Sequence, residues 1–167
     1  PDEFISAFHC KDTFLHKRSE VENNVRAPGQ KVIICDIDDV LSQFRIPYSE
    51  FVMREFGVAI DPCSAEYYNI DPISRAGIDP DMVFNKFVSE GSFANVPPHE
   101  GMIDFLRCLK ARGFWIHLLT ARPGDDARCK YDTYEWLVKN NVPFDGIDFT
   151  PEKYIWLSDK DFYIKGD

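Results

Sequence analysis

Two hydrophobic periods alternate along the chain. Lys31-Val32-Ile33-Ile34-Cys35 is a short continuous apolar run, the pattern of a strand buried on both faces of a parallel sheet. Phe114-Trp115-Ile116-His117-Leu118-Leu119 repeats it, Phe162-Tyr163-Ile164 repeats it weakly, and Gly146-Ile147-Asp148-Phe149 is a weaker candidate. Between these runs the period turns helical. Gly101 to Arg112 sets Met102, Ile103, Phe105, Leu106 and Leu109 on one stripe, with Gly113 as a cap past the end. Asp126 to Asn140 gathers Tyr131, Tyr134, Leu137 and Val138. Helix followed by strand, repeatedly, predicts an α/β fold with a Rossmann-like, doubly wound parallel sheet.

The stretch between the first two strong strands does not fit a simple crossover. Residues 44–99 far exceed the roughly two to six residues of an ordinary strand-to-helix loop, and they carry helices of their own. Pro47 opens one helix with Tyr48, Phe51, Val52 and Phe56 before Gly57. Asp79-Pro80-Asp81 opens another with Val83, Phe84, Phe87 and Val88 before Gly91. The prediction is a mainly helical cap inserted at the sheet's carboxyl edge, with 31–43 and 100–167 forming the core. Residues 1–30 are polar and mixed, closed by the turn signal Arg26-Ala27-Pro28-Gly29, and read as an arm or short helix packed on that core.

Composition narrows the function classes. The 167 residues suit one domain, and 44% hydrophobic residues with 14 Phe argue against disorder. A net charge of -9 disfavours an extended nucleic-acid surface, which depends on Lys and Arg displacing counterions. No apolar run approaches the roughly eighteen residues of a membrane span. The five Cys have no paired spacing and suit a reduced, cytoplasmic setting. Oligomeric state is not legible.

Candidate chemistry collects at strand ends. Asp36-Ile37-Asp38-Asp39 follows the first strand directly, and carboxylates are costly there unless a metal, donors or a reaction holds them. Asp36 and Asp38 project to the same side of extended backbone, roughly 7 Å apart. Ligands of open α/β sheets bind beyond this edge, and Mg²⁺ usually takes only one or two carboxylates together with waters. The bland alternative is that Asp38 and Asp39 merely cap the next helix. The second strand ends in Thr120-Ala121-Arg122-Pro123: a hydroxyl, backbone N–H groups and a guanidinium fork, all suited to phosphate oxygens. Thr150-Pro151-Glu152-Lys153 reads as a helix start that puts Lys153 near the same edge. Lys160 is the rival cation if Tyr154-Ile155-Trp156-Leu157 is the strand instead. Asp167 is a candidate further carboxylate. The chain opens on Pro1 rather than Met and closes on Asp167, so Asp167 is expected to be either that further metal ligand or simply the frayed end of a truncated chain.

Together these segments resemble the haloacid dehalogenase superfamily of phosphatases from about Lys31 onward. Asp36-Ile37-Asp38-Asp39-Val40-Leu41 matches that family's first motif, Asp-x-Asp-x-Thr/Val. Thr120 matches the second, Lys153 or Lys160 the third, and Gly166-Asp167 the start of the fourth. An insert after the first motif, Phe44, Gly91-Ser92-Phe93 ahead of Pro97-Pro98, and Lys130-Tyr131 with Trp136 are similar to the 5′(3′)-deoxyribonucleotidases. Two features depart. Their second motif usually reads Thr-Ser-Pro, whereas Thr120-Ala121-Arg122-Pro123 is closer to polynucleotide 3′-phosphatases and lipin-like members. The acidic pair expected after the last strand is missing unless Asp167 belongs to it.

The resemblance implies a Mg²⁺-dependent phosphomonoester hydrolase acting through an aspartyl-phosphate, on a small phosphorylated substrate such as a nucleoside monophosphate. Asp36 would be nucleophile and Asp38 general acid and base, its carboxyl raised by the nearby Asp36. Thr120 with Lys153 or Lys160 would hold phosphate oxygens, assisted by Ala121 and Arg122. Mg²⁺ would bind Asp36, Asp38 through its backbone carbonyl, and Asp167. Phe44 and Phe93 would wall the leaving group, or simply pack the cap core. The alternatives are a polynucleotide 3′-phosphatase, another small-molecule phosphatase, and a binding module without turnover.

Overall fold

The computed structural model describes residues 15–64 and 71–159. The candidate strand Phe162–Ile164, Lys160 and Asp167 lie outside the described residues. Among the described residues three strands form one parallel sheet in the order β1 (Val32–Cys35), β2 (Trp115–Thr120), β3 (Gly146–Phe149). Cys35 pairs with Leu118, and Thr120 pairs with Phe149. The carboxyl ends of all three strands therefore meet at one edge. The fold is mixed α/β. Doubly wound topology needs a strand on the far side of β1, and the described strands show no reversal of order.

Helices α2 (Arg45–Phe56), α3 (Asp71–Arg75) and α4 (Pro80–Ser89) and a 3₁₀ turn (Ser92–Asn95) fill the long connection. Next come α5 (Glu100–Ala111), α6 (Ala127–Lys139) and α7 (Lys153–Asp159). Residues 15–23 form a first helix, α1, whose Val21 joins the core. The helix starts follow capping chemistry. Asp79 accepts the N–H of Asp81, and Asp126 accepts that of Cys129. Helix α2 begins two residues before Pro47, which is tolerated because first-turn N–H groups have no intrahelical partner. The rival strand over Tyr154–Leu157 does not form. Thr150 Oγ1 instead accepts the N–H of Glu152, starting α7 over the same residues.

Two apolar clusters divide the interior. The first packs Ile116 and Leu118 of β2 against Ile103, Leu106 and Leu109 of α5 and Trp136 and Leu137 of α6. Trp115 and His117, alternating with them, are only half-buried, so this strand is less covered than its apolar run predicts. The α5 stripe is also narrower than predicted, with Met102 and Phe105 exposed. The second cluster joins Phe51 and Val52 of α2, Val83 and Phe87 of α4, Phe93 and Val96. It includes Cys129 of α6, so α6 is buried against both clusters. Its two limbs close on each other where the chain leaves and rejoins the sheet: Gln43 N–H donates to Pro97 O at 2.7 Å and His99 N–H to Leu41 O at 2.7 Å. Among the described residues no helix is long and apolar enough to cross a membrane.

Candidate active site

The loop after β1 is a tight turn wound on one carbonyl. Ile37 O accepts the N–H groups of Val40, Leu41 and Ser42, while Asp39 takes the left-handed region at φ 59°. Asn and Asp adopt that conformation more readily than most residues. This winding sends the three carboxylates to different partners. Asp36 meets Lys153 Nζ at 2.5 Å through Oδ2 and accepts the Ile37 N–H at 2.7 Å through Oδ1. Asp38 meets Arg122, with Nη2 2.7 Å from Oδ1 and Nε 3.0 Å from Oδ2. Asp39 meets Arg45, accepting both its backbone N–H and its Nε. Each acid therefore has its own cation. The helix-capping alternative thus holds for Asp39 alone, which anchors the first residue of α2.

Lys153 reaches Asp36 because α7 is held down behind it. Trp156 lies 5.0 Å, ring to ring, from His117, and His117 Nε2 lies 2.9 Å from Asp148 Oδ2. Gly146 allows this close approach, since a Cβ there would stand 2.6 Å from His117 Nδ1. The Asp36 side chain is 37% exposed and Lys153 29%, so the pair is open to a ligand. Of the two lysine candidates, Lys153 is the one described at this edge.

Three expected substrate contacts are placed differently. Arg122 does not extend toward an incoming phosphate: it is 2% exposed and spent on Asp38. A buried guanidinium needs a carboxylate partner, and Asp38 is that partner. Phe93 is 1% exposed, packed against Phe44, Phe84 and Phe87 with Arg122 over its ring, so no face remains for a leaving group. It belongs to the insert's core. Phe44 is half-buried and stacks on Phe93 and Tyr48. Thr120 is buried, its Oγ1 accepting the Arg122 N–H at 3.2 Å, which shapes the loop that carries the exposed Ala121.

Two contributors escaped sequence reasoning. The Ser42 hydroxyl lies 3.0 Å from Asp38 Oδ1, and Thr133 Oγ1 accepts Arg122 Nη1 at 3.1 Å. Neither belongs to a motif; only the burial of Arg122 would have called for them.

Neighbouring thiols feel the same surroundings. Burial pushes the Cys35 thiol up to about 11, helped by the Asp36 charge and opposed by Lys153. Burial pushes Cys129 up to about 12. Asp132 of α6 is fully buried, and burial raises its carboxyl despite the Arg128 partner at 2.9 Å.

The donors suit a hard cation in part. Each Asp36 oxygen has one described partner and can accept a second, which fits a single-carboxylate Mg²⁺ ligand. Asp38 Oδ1 is occupied by Arg122 and Ser42 while Oδ2 meets Arg122 Nε, and the Asp38 backbone carbonyl is a further oxygen it could offer a cation. Among the described residues no three His, Cys, Asp or Glu gather as a metal site. No protein-family model matches the chain, and comparison with curated proteins and with solved structures also finds no match.

Proposed function

We propose that the chain is a phosphomonoester hydrolase built on a doubly wound, haloacid-dehalogenase-like core, working through an aspartyl-phosphate. The observation that carries this reading is the Asp36–Lys153 pair. A partly exposed carboxylate stands at a strand's carboxyl end with an ammonium on one oxygen and a second carboxylate fixed two residues on.

The chemistry follows from that geometry. Asp36 needs no base, since an ordinary carboxylate is ionised near neutral pH. One Asp36 oxygen attacks phosphorus, the bond from phosphorus to the leaving oxygen breaks, and Asp38 gives its proton to that oxygen. Water then attacks the aspartyl-phosphate, its proton passes to Asp38, and inorganic phosphate leaves with Asp36 restored. Lys153 offsets the repulsion between Asp36 and a phosphate dianion, and backbone N–H groups at Thr120–Ala121 border the same edge. Mg²⁺, held by Asp36, the Asp38 carbonyl and the candidate Asp167, would supply further positive charge there. A nucleoside monophosphate is the substrate we favour, with half-buried Phe44 as the one remaining candidate for contact with its leaving group.

A panel of phosphomonoesters with Mg²⁺ tests the reading, phosphate release being measured. Turnover of nucleoside monophosphates, abolished by chelation and by Asp36→Asn, is expected. Faster release from 3′-phosphorylated oligonucleotides would replace the nucleotidase assignment, and no release from any substrate would leave only the binding module.

A further inference from the structure

Arg122 has an unusual set of neighbours for a residue expected to meet solvent or substrate. Its side chain is 1% exposed. The guanidinium contacts Asp38 at three distances, Nη2–Oδ1 2.7 Å, Nε–Oδ1 3.3 Å and Nε–Oδ2 3.0 Å. Its remaining terminal nitrogen is held by Thr133 Oγ1 of α6. Arg122 Cζ lies 4.1 Å from the centre of the Phe93 ring, where a cation and an aromatic face attract each other. The backbone is fixed as well, through the N–H on Thr120 Oγ1. Arg122 is thus clamped by β2, by α6 and by the insert, and its position dictates that of Asp38.

The two oxygens of Asp38 are not equivalent. Oδ1 is approached by Arg122 Nη2, Arg122 Nε and the Ser42 hydroxyl, whereas Oδ2 has only Arg122 Nε at 3.0 Å among the described donors. Oδ1 is nearly saturated as an acceptor. We propose that Arg122 is a positioning residue: it immobilises Oδ1 and leaves Oδ2 as the oxygen that exchanges a proton with the substrate. This rests on the hydrolase reading and goes beyond it, by naming the oxygen that carries the proton and the residue that aims it. Phe93, which lost its place as a substrate wall, acquires a different role. It seats Arg122, so the insert's aromatic core and the proton-transfer group share one guanidinium.

Lysine at this position keeps the charge and loses the fork. The readout that separates aiming from mere support is leaving-group chemistry. An alkyl phosphate needs a proton on its departing oxygen, whereas p-nitrophenyl phosphate releases a stable phenolate without one. The ratio kcat/KM reports the steps up to that departure. Arg122→Lys is expected to lower kcat/KM on a nucleoside 5′-monophosphate by about 10²-fold, the scale of a misaimed acid, and on p-nitrophenyl phosphate by less than about 10-fold. In an Asp38→Asn background the same substitution should cost nothing further on the alkyl substrate. Thr133→Val, which removes one clamp and no charge, should give a smaller loss of the same selectivity and serves if Arg122→Lys fails to fold by thermal melting. Equal losses on both substrates, or an undiminished loss on top of Asp38→Asn, would overturn the positioning role. Absence of turnover by the unsubstituted chain on either substrate overturns the hydrolase reading and this role with it.

Discussion

Lys153→Met offers the sharpest separation between structure and chemistry, because the two predicted costs differ in scale. Met keeps most of the stem and deletes the ammonium that lies 2.5 Å from Asp36 Oδ2. Both partners are about a third exposed, so solvent screens the pair, and such pairs contribute only about 0.2–1 kcal/mol to folding. For a chain of this size about 1 kcal/mol corresponds to about 2–4 °C in Tm. The catalytic cost should be larger. A positive group aimed at charge developing on a transferring phosphoryl acts where water is partly displaced, and losing one such group typically costs about 10²–10³ in rate, or about 2.7–4 kcal/mol. Thermal melting and kcat/KM on a nucleoside monophosphate, measured on the same preparation, decide the matter. The expected result is a melting shift within about 4 °C and an activity loss of at least about 10²-fold. Lys160→Met is the matched control and should stay near the parent. Activity within about fivefold of the parent for Lys153→Met would refute the electrostatic argument; a large loss confined to Lys160→Met would transfer the role to that residue.

Three further outcomes follow from burial. Phe87 is 1% exposed and packs edge-on against Phe44, Tyr48, Phe51 and Phe93, so Phe87→Ala should cost about 3–5 kcal/mol in urea unfolding; a cost below about 1 kcal/mol would mean the second cluster is not a packed core. Iodoacetamide at mildly alkaline pH should label exposed Cys63 and Cys108 well before Cys35 and Cys129, whose thiols are raised to about 11 and about 12, as read by peptide mass spectrometry; early labelling of Cys129 would contradict its burial. The Asp132 carboxyl is raised above its usual 3.8, so its favourable contribution is complete below that pH and is lost as pH climbs through the folded value. Asp132→Asn should therefore gain in Tm relative to the parent as pH rises from the acid side, and a relative gain that shrinks instead would reverse the assigned cause.

Much of the site's frame was legible because it depends on local pattern. Apolar runs that end in Asp36 and Thr120 place both residues at one edge once the strands are parallel, and parallel pairing follows from helices between strands. The start of α7 was legible for a similar reason, since Thr150-Pro151-Glu152 is a helix start whatever surrounds it, whereas the choice between Lys153 and Lys160 was not. The identity of side-chain partners was not. Which cation each of Asp36, Asp38 and Asp39 takes is decided by a turn wound on the single carbonyl of Ile37, a feature with no periodicity. Helix α6 shows another limit. A single 3.6-residue stripe selects Tyr131, Tyr134, Leu137 and Val138, yet Cys129, Asp132, Thr133 and Trp136 are buried, because this helix lies between two clusters and has little solvent face.

That position of α6 bears on how the insert can move. Its return limb is fastened to α6 at three points of different chemistry. Trp136 Nε1 donates to Val96 O at 2.6 Å, and Arg122, bonded to Thr133, lies over Phe93. The Arg128 guanidinium fills the space beside Gly91, where a Cβ would meet Nη2 at 1.9 Å. The outgoing limb past Gln43 has a backbone bond to Pro97 and a side-chain bond to Pro98, both on the return limb itself. A hinge that opened the whole insert away from the core would break a buried indole bond, costing about 1–3 kcal/mol, and would strip Arg122 from Phe93 as well. Movement of α2 spares both of these contacts but parts Tyr48 and Phe51 from Phe87, so each route opens a packed contact.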